Sequence, residues 1–163
     1  MNVNEAMTAP VRCCSPNSSL EELAQMMWAE DCGSIPVVDD EQRPLGVVTD
    51  RDIAMSAMLK HQPLWEICAS EVIKGQRVVC CSQQEPIESC IAKMKENSIR
   101  RIVVTDDAGK LVGIVSMGDA VAFAKEQPDP VEGCAIDSDE VLGMLRKVSA
   151  HHPSGDNPLA QIH

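Results

Sequence analysis

Gly46-Val47-Val48-Thr49-Asp50-Arg51-Asp52 returns 67 positions later as Gly113-Ile114-Val115-Ser116-Met117-Gly118-Asp119. In both copies a glycine and two apolar residues run into a hydroxyl residue, and an acid follows three places on. This order predicts a buried strand that ends at the N-cap of a helix, where the hydroxyl and the acid satisfy free amides of the first turn. The same helix start presents free N–H groups and partial positive charge that suit a phosphate, and the acid beside it can accept two ribose hydroxyls. Capping and ligand binding use one geometry, and both readings can hold together.

Working outward, the two halves stay in register without a gap from Val11 to Ala57. Cys13, Cys14 and Ser15 fall on Cys80, Cys81 and Ser82, and Ile35, Val37, Asp39 and Asp40 fall on Ile102, Val104, Asp106 and Asp107. Each half opens with a short apolar stretch. A helical stripe follows, with Leu20, Leu23, Ala24 and Met27 matched by Ile87, Cys90, Ile91 and Met94. Two apolar runs come next, Ile35 to Val38 with Leu45 to Val48 and Ile102 to Val104 with Leu111 to Val115, joined by polar turns. The predicted fold is α/β: two tandem β-α-β-β-α repeats related by a pseudo-twofold, with small sheets covered by helices. The first repeat is expected over 1–59, a linker over 60–70 with a helical turn near Trp65, and the second repeat over 71–125. Gln127-Pro128-Asp129-Pro130 cannot continue a helix. The acidic tail, 126–163, is expected to hold one short helix over 138–148.

Composition narrows the function. A formal net charge of −11 with scattered basic residues disfavours nucleic acid and anionic membranes. No apolar run approaches the roughly 20 residues that span a bilayer. Met1 to Pro10 carries neither a basic patch nor an apolar stretch, so a cytoplasmic protein is expected, with its eight cysteines reduced. Adjacent cysteines on a strand point to opposite faces, and no CxxC spacing occurs, so Cys13-Cys14 and Cys80-Cys81 read as buried thiols and no metal site is expected. Neither repeat contains a histidine; His61 lies in the linker, and His151 and His152 read as tail residues. With no nucleophile elbow and no Walker lysine, no catalytic residue and no enzyme are expected.

Two β-α-β-β-α copies ending in Gly, two apolar residues, Thr or Ser, and Asp, with Ala6-Met7-Thr8 ahead of the first, resemble the cystathionine-β-synthase (CBS) domain. Two such copies resemble a Bateman module over about residues 1 to 125. The resemblance implies clefts between the repeats for AMP, ADP, ATP, S-adenosylmethionine or an NAD-like ligand, with no required cofactor. It further implies a homodimer, with apolar helix faces at Ala54, Met55, Met58, Val121 and Phe123, that controls a partner by conformational change. Carried over by position, Asp52 and Asp119 would hold ribose hydroxyls, and Thr49 and Ser116 would touch phosphate or ribose oxygens. Arg51 would face phosphate in the first site, where Thr8 is expected to join Thr49 and Asp52. In the second site Arg100 and Arg101 replace the cation lost at Gly118, and Val78 and Ile102 are candidates for base contacts. Ser70-Glu71-Val72-Ile73-Lys74 departs from the pattern: it lacks the Met-Thr pair and carries one extra residue before Val78. The alternatives are an interaction scaffold without ligand, or a redox- or metal-responsive regulator built on the paired cysteines.

Overall fold

The computed structural model describes residues 1–123 and 138–149. Gln127-Pro128-Asp129-Pro130 and His151-His152 lie outside the described residues. The chain opens with a one-turn helix, α1 (Val3–Ala6), and then enters the first repeat. That repeat holds α2 (Leu20–Ala29), β1 (Ser34–Val38), β2 (Pro44–Thr49) and α3 (Asp50–Lys60). A 3-10 turn at Leu64–Glu66 and a short α4 (Ala69–Val72) lead to β3 (Cys80–Ser82), α5 (Ile87–Asn97), β4 (Arg101–Thr105), β5 (Leu111–Ser116) and α6 (Met117–Phe123). A last helix, α7, covers Ser138–Ser149.

The apolar spacing builds α2 and α5 as expected. Leu20, Leu23 and Met27 bury one face of α2, and Ile87, Cys90, Ile91 and Met94 bury one face of α5. Ser19 caps α2 by accepting the Glu22 N–H at 3.2 Å, while the Glu22 carboxylate accepts the Ser19 N–H at 3.0 Å. The strands pair antiparallel within each repeat in equivalent registers, Ile35 opposite Val48 and Ile102 opposite Val115. The hairpin turns match as well: Gln42 takes a positive φ of 67°, where its repeat counterpart Gly109 has 77°.

One strand differs. In the second repeat β3 pairs parallel with β4, Cys80 opposite Val103, to give a three-stranded sheet. In the first repeat the equivalent stretch is reduced to one parallel bridge between Cys14 and Val37. Pro36 stands where the second repeat has Val103, and without an N–H it cannot donate to the ladder there.

The two cores do not divide where the two repeats divide. Val3 and Ala6 of α1 pack into the second core with Ile87, Met94 and Val115, and the Val3 N–H donates to Glu85 O at 2.9 Å. Ile67 and Ala69, expected in a linker, are fully buried in the first core with Leu20, Leu23 and Val48. The Leu20 N–H donates to Ile67 O at 2.9 Å. Each repeat therefore lends its leading segment to the other. Burial of Ile67 alone contributes on the order of 1.5–3 kcal/mol, which holds the connection against the first sheet.

Candidate functional site

Both signature segments fold as capped helix starts. The Ser116 N–H and hydroxyl donate to Asp119 Oδ2 at 2.7 and 2.6 Å, and the Asp119 N–H donates to the Ser116 Oγ at 3.2 Å. Thr49 and Asp52 repeat this with 2.8, 2.7 and 3.2 Å. In each pair one carboxylate oxygen is used twice. Oδ1 has no hydrogen-bond partner among the described residues, and each acid is only half-buried, so an acceptor remains for a ligand.

Around the second signature the repeats meet in a cleft of about 390 Å³ lined by Thr8, Val11, Ile35, Arg101, Ser116 and Asp119. This corrects the expected grouping of Thr8 with Thr49, Arg51 and Asp52. Thr8 pairs with β5: its N–H donates to Ile114 O at 2.9 Å, and its carbonyl accepts the Ile114 N–H at 3.1 Å. A Cβ on Gly113 would stand 3.0 Å from Thr8 O and 2.5 Å from Met7 Sδ, so glycine permits that approach. The cause is the exchange of leading segments, which carries Met7 and Thr8 from the first repeat to the second.

The same exchange relocates the expected base contacts. Ile102 is 1% exposed in the second core and does not line this cleft; its repeat counterpart Ile35 does. Val78 is likewise absent from this lining, and its counterpart Val11 is present. Arg101 lines the cleft, whereas Arg100 turns away and donates through Nη2 to Val148 O of α7 at 3.4 Å. Arg51 is exposed and lines neither this cleft nor the cavity described next. Sequence reading missed Val11, Arg12, Ser34 and Ile35; crossing each leading segment onto the opposite repeat would have found them.

Beyond Arg101, a second cavity of about 540 Å³ opens between α2 and α3, lined by Met27, Trp28, Asp31, Gly33, Asp50 and Ile53 together with Arg101. At the first signature, Ile73 and Gln76 take the place that Met7 and Thr8 hold at the second. A Cβ on Gly46 would meet Ile73 Cγ2 at 2.5 Å, and Gln76 Oε1 accepts the Val47 N–H at 3.2 Å.

The paired cysteines split by face: Cys14 and Cys81 are buried, while Cys13 and Cys80 are partly exposed. Burial, reinforced by Cys13 and Glu22, pushes the Cys14 thiol up to about 12. The hydrogen bond with Cys81, and then burial, raise the Cys90 thiol. Among the described residues no group of three or more His, Cys, Asp or Glu side chains is placed to hold a metal. No helix of the described residues is long and apolar enough to cross a membrane.

Known proteins agree with this architecture. The chain is 29% identical over 119 residues to an uncharacterized protein of Methanopyrus kandleri and spans 60% of that protein's length. It is 34% identical over 123 residues to the CBS domain-containing protein YhcV of Bacillus subtilis, covering 72% of this chain and 81% of YhcV. Among solved structures, Hypoxic Response Protein I with two coordinated zinc ions superposes with a TM-score of 0.67 at 26% identity, over 78% of this chain and all of that one. Two likenesses under 25% identity show the fold alone. They are the CBS domain pair of protein MJ0100 in complex with 5′-methylthioadenosine and S-adenosyl-L-methionine (TM-score 0.64, 24%, 75% of this chain and 94% of that one) and protein PAE2072 of Pyrobaculum aerophilum complexed with AMP (0.65, 22%, 74% and 90%). The profile of the CBS domain matches residues 3–58 and again 69–126. With two such matches carried on two β-α-β-β-α repeats, the chain belongs to the CBS-domain family as a tandem pair.

Proposed function

We propose that this CBS pair is a non-catalytic regulator that binds an adenosine-type nucleotide in the Ser116–Asp119 cleft. The observation that carries this reading is the meeting of a carboxylate oxygen without a partner, Asp119 Oδ1, with Thr8, Ser116 and Arg101 across the two repeats. Asp119 accepts the ribose hydroxyls, Ser116 and Arg101 face phosphate or another polar extension, and the base lies between Val11 and Ile35. The complexes of MJ0100 and PAE2072 with adenosine compounds support the ligand class. By the pseudo-twofold, Thr49, Arg51 and Asp52 form a second candidate site, with Val78 and Ile102, the repeat counterparts of Val11 and Ile35, as its base contacts.

In this reading the ligand binds one arrangement of the repeats better than another and so shifts their populations. The output passes to a regulated protein in the cytoplasm from a Bateman-type homodimer formed through faces that include Ala54, Met55, Met58, Val121 and Phe123. Calorimetric titration with AMP, ADP, ATP, S-adenosylmethionine and NAD tests it. Saturable binding of at least one ligand, lost on Asp119→Ala in a folded protein, is the expected result. Equal affinities for wild type and variant would overturn the assignment.

A further inference from the structure

Cys81 and its repeat counterpart Cys14 carry the same thiol in different company. Cys14 is the one cysteine of the first core, and Leu23 and Met26 stand where the second repeat has Cys90 and Lys93. In the second repeat the thiols of Cys81, on β3, and Cys90, on α5, are 1% and 0% exposed and share a hydrogen bond. Cys90 and Lys93 are three residues apart on α5, so both reach the same stretch of β3. The Lys93 ammonium donates to Cys80 O at 3.1 Å and to the two Glu85 oxygens at 3.0 and 2.8 Å, and it also hydrogen-bonds the Cys81 sulfur. Lys93 and Glu85 are half-exposed, so solvent comes within one side chain of the buried pair. The strand that holds Cys81 is three residues long and lies at the edge of its sheet, paired with β4 alone. Such a short edge opens locally more readily than a central strand.

We propose that Cys81 and Cys90 form a dithiol oxidation site whose substrate is a small hydroperoxide and whose product is a disulfide joining β3 to α5. Roles within the pair differ. The Cys90 hydrogen bond, opposed by burial and helped by the Lys93 charge, holds the Cys81 thiol below its ordinary pKa, whereas Cys90 is raised. Cys81 is therefore the attacking thiolate. Its sulfur takes the terminal oxygen of the peroxide, the O–O bond breaks, and the departing hydroxide leaves as water with the proton that Cys81 gave up. The Cys90 sulfur then attacks the sulfenic acid on Cys81; the S–S bond forms, the S–O bond breaks, and the hydroxyl leaves with the Cys90 proton as a second water. The two thiols lose two electrons and the peroxide gains them. Burial selects the oxidant, because hydrogen peroxide is little larger than water while a bulky disulfide cannot enter. No residue of the nucleotide cleft takes part, so the site stands or falls separately from the nucleotide reading.

The test is a thiol map of the full chain after brief exposure to hydrogen peroxide. Trypsin releases residues 78–93 as one peptide that holds Cys80, Cys81 and Cys90. After alkylation in denaturant, this peptide should carry one alkylated cysteine and be short of two hydrogens, and dithiothreitol should restore all three thiols. Oxidised glutathione at the same concentration should give the product about tenfold more slowly. Cys80→Ser should keep the disulfide, and Cys81→Ser and Cys90→Ser should each abolish it, with circular dichroism confirming that the variants fold. The wild-type map needs no variant. Three free thiols in the peroxide-treated peptide, or oxidation there no faster than at Cys14, overturns the proposal. So does a disulfide that survives Cys90→Ser, because Cys80 and Cys81 would then be the reacting pair.

Discussion

The side chain of Gln76 does for Val47 what the main chain of Thr8 does for Ile114. Val47 and Ile114 are repeat counterparts, and each donates its N–H to the incoming leading segment, at 3.2 and 3.1 Å. The extra residue before Val78 shifts the backbone, and an amide side chain restores the acceptor. Gln76→Ala should cost about 1 kcal/mol, or about 2–4 °C in melting temperature for a chain of this size. Scanning calorimetry measures it. Nucleotide affinity at the Ser116–Asp119 cleft should not change, and a loss there would show that the two ends of the molecule are coupled.

Asp52→Ala and Asp119→Ala should cost the same stability and different affinities. Each removes a capping box, on the order of 1 kcal/mol. Only Asp119 lies in the cleft that contains Thr8 and Arg101, so its loss should weaken nucleotide binding tenfold or more, as charged hydrogen bonds of about 1.5–3 kcal/mol require. Parallel melts and titrations check both halves.

Gly113→Ala should destabilise by about 1–3 kcal/mol, because the new methyl meets Thr8 O at 3.0 Å as well as Met7 Sδ. The methionine can swing aside; the bridge of Thr8 to Ile114 cannot yield without opening the cleft. A lowered denaturant midpoint with weaker nucleotide binding is the expected pair of results. Full binding after the substitution would mean that the bridge is dispensable.

Thiol labelling should follow exposure. Cys32 is exposed and should react first under native conditions, whereas Cys14 and Cys90 should stay unlabelled until the protein unfolds. With the Cys14 thiol pushed to about 12, raising the pH to 9 should leave it protected. Peptide mapping by mass spectrometry after a brief pulse of thiol reagent reads the order directly.

Lys93 and Glu85 form a half-exposed pair at 2.8 Å, and their pKa shifts set a pH window. Burial would raise the Glu85 pKa, but the hydrogen bond from Lys93, the Ser82 N–H and the Lys93 charge hold it below its ordinary value. For Lys93, burial lowers the pKa, and the Glu85 hydrogen bond together with the Cys81 and Glu85 charges and a hydrogen bond to Cys81 more than offsets it, leaving it above the ordinary value. The pair's stabilisation is therefore present at neutral pH, fades as pH falls from about 4.3, and fades again as it rises above about 10.4. Solvent screening keeps it within about 1 kcal/mol. Lys93→Met should melt lower than wild type at pH 7, and the gap should close on acidification to pH 3.

Local structure was legible in the sequence. The stripe from Leu20 to Met27, its twin from Ile87 to Met94, the hairpins and both capped helix starts follow from periodicity and turn chemistry, which neighbouring residues decide among themselves. The apolar residues Val141 and Leu145 already marked a helix near 138–148, which the structure extends to Ser149. Partnership across the repeats was not legible. Register says that Thr8 has no counterpart in Ser70–Lys74, but not that Thr8 crosses to Ile114, because that depends on the packing of Val3 and Ile67 in each other's cores. Arg100 shows the same limit: adjacent arginines look interchangeable in a sequence, and only α7 separates them.

Arg101 belongs to two cavities at once. If an anion binds beside Ser116 and Asp119, a guanidinium that swings toward it moves away from Asp50 of the neighbouring cavity, while Arg12, paired with Glu30, remains the other cation of the cleft lining. Arg101 is the one cation common to both linings. By thermodynamic reciprocity, whatever advantage an anion in one room gives to a cation in the next is returned in equal measure.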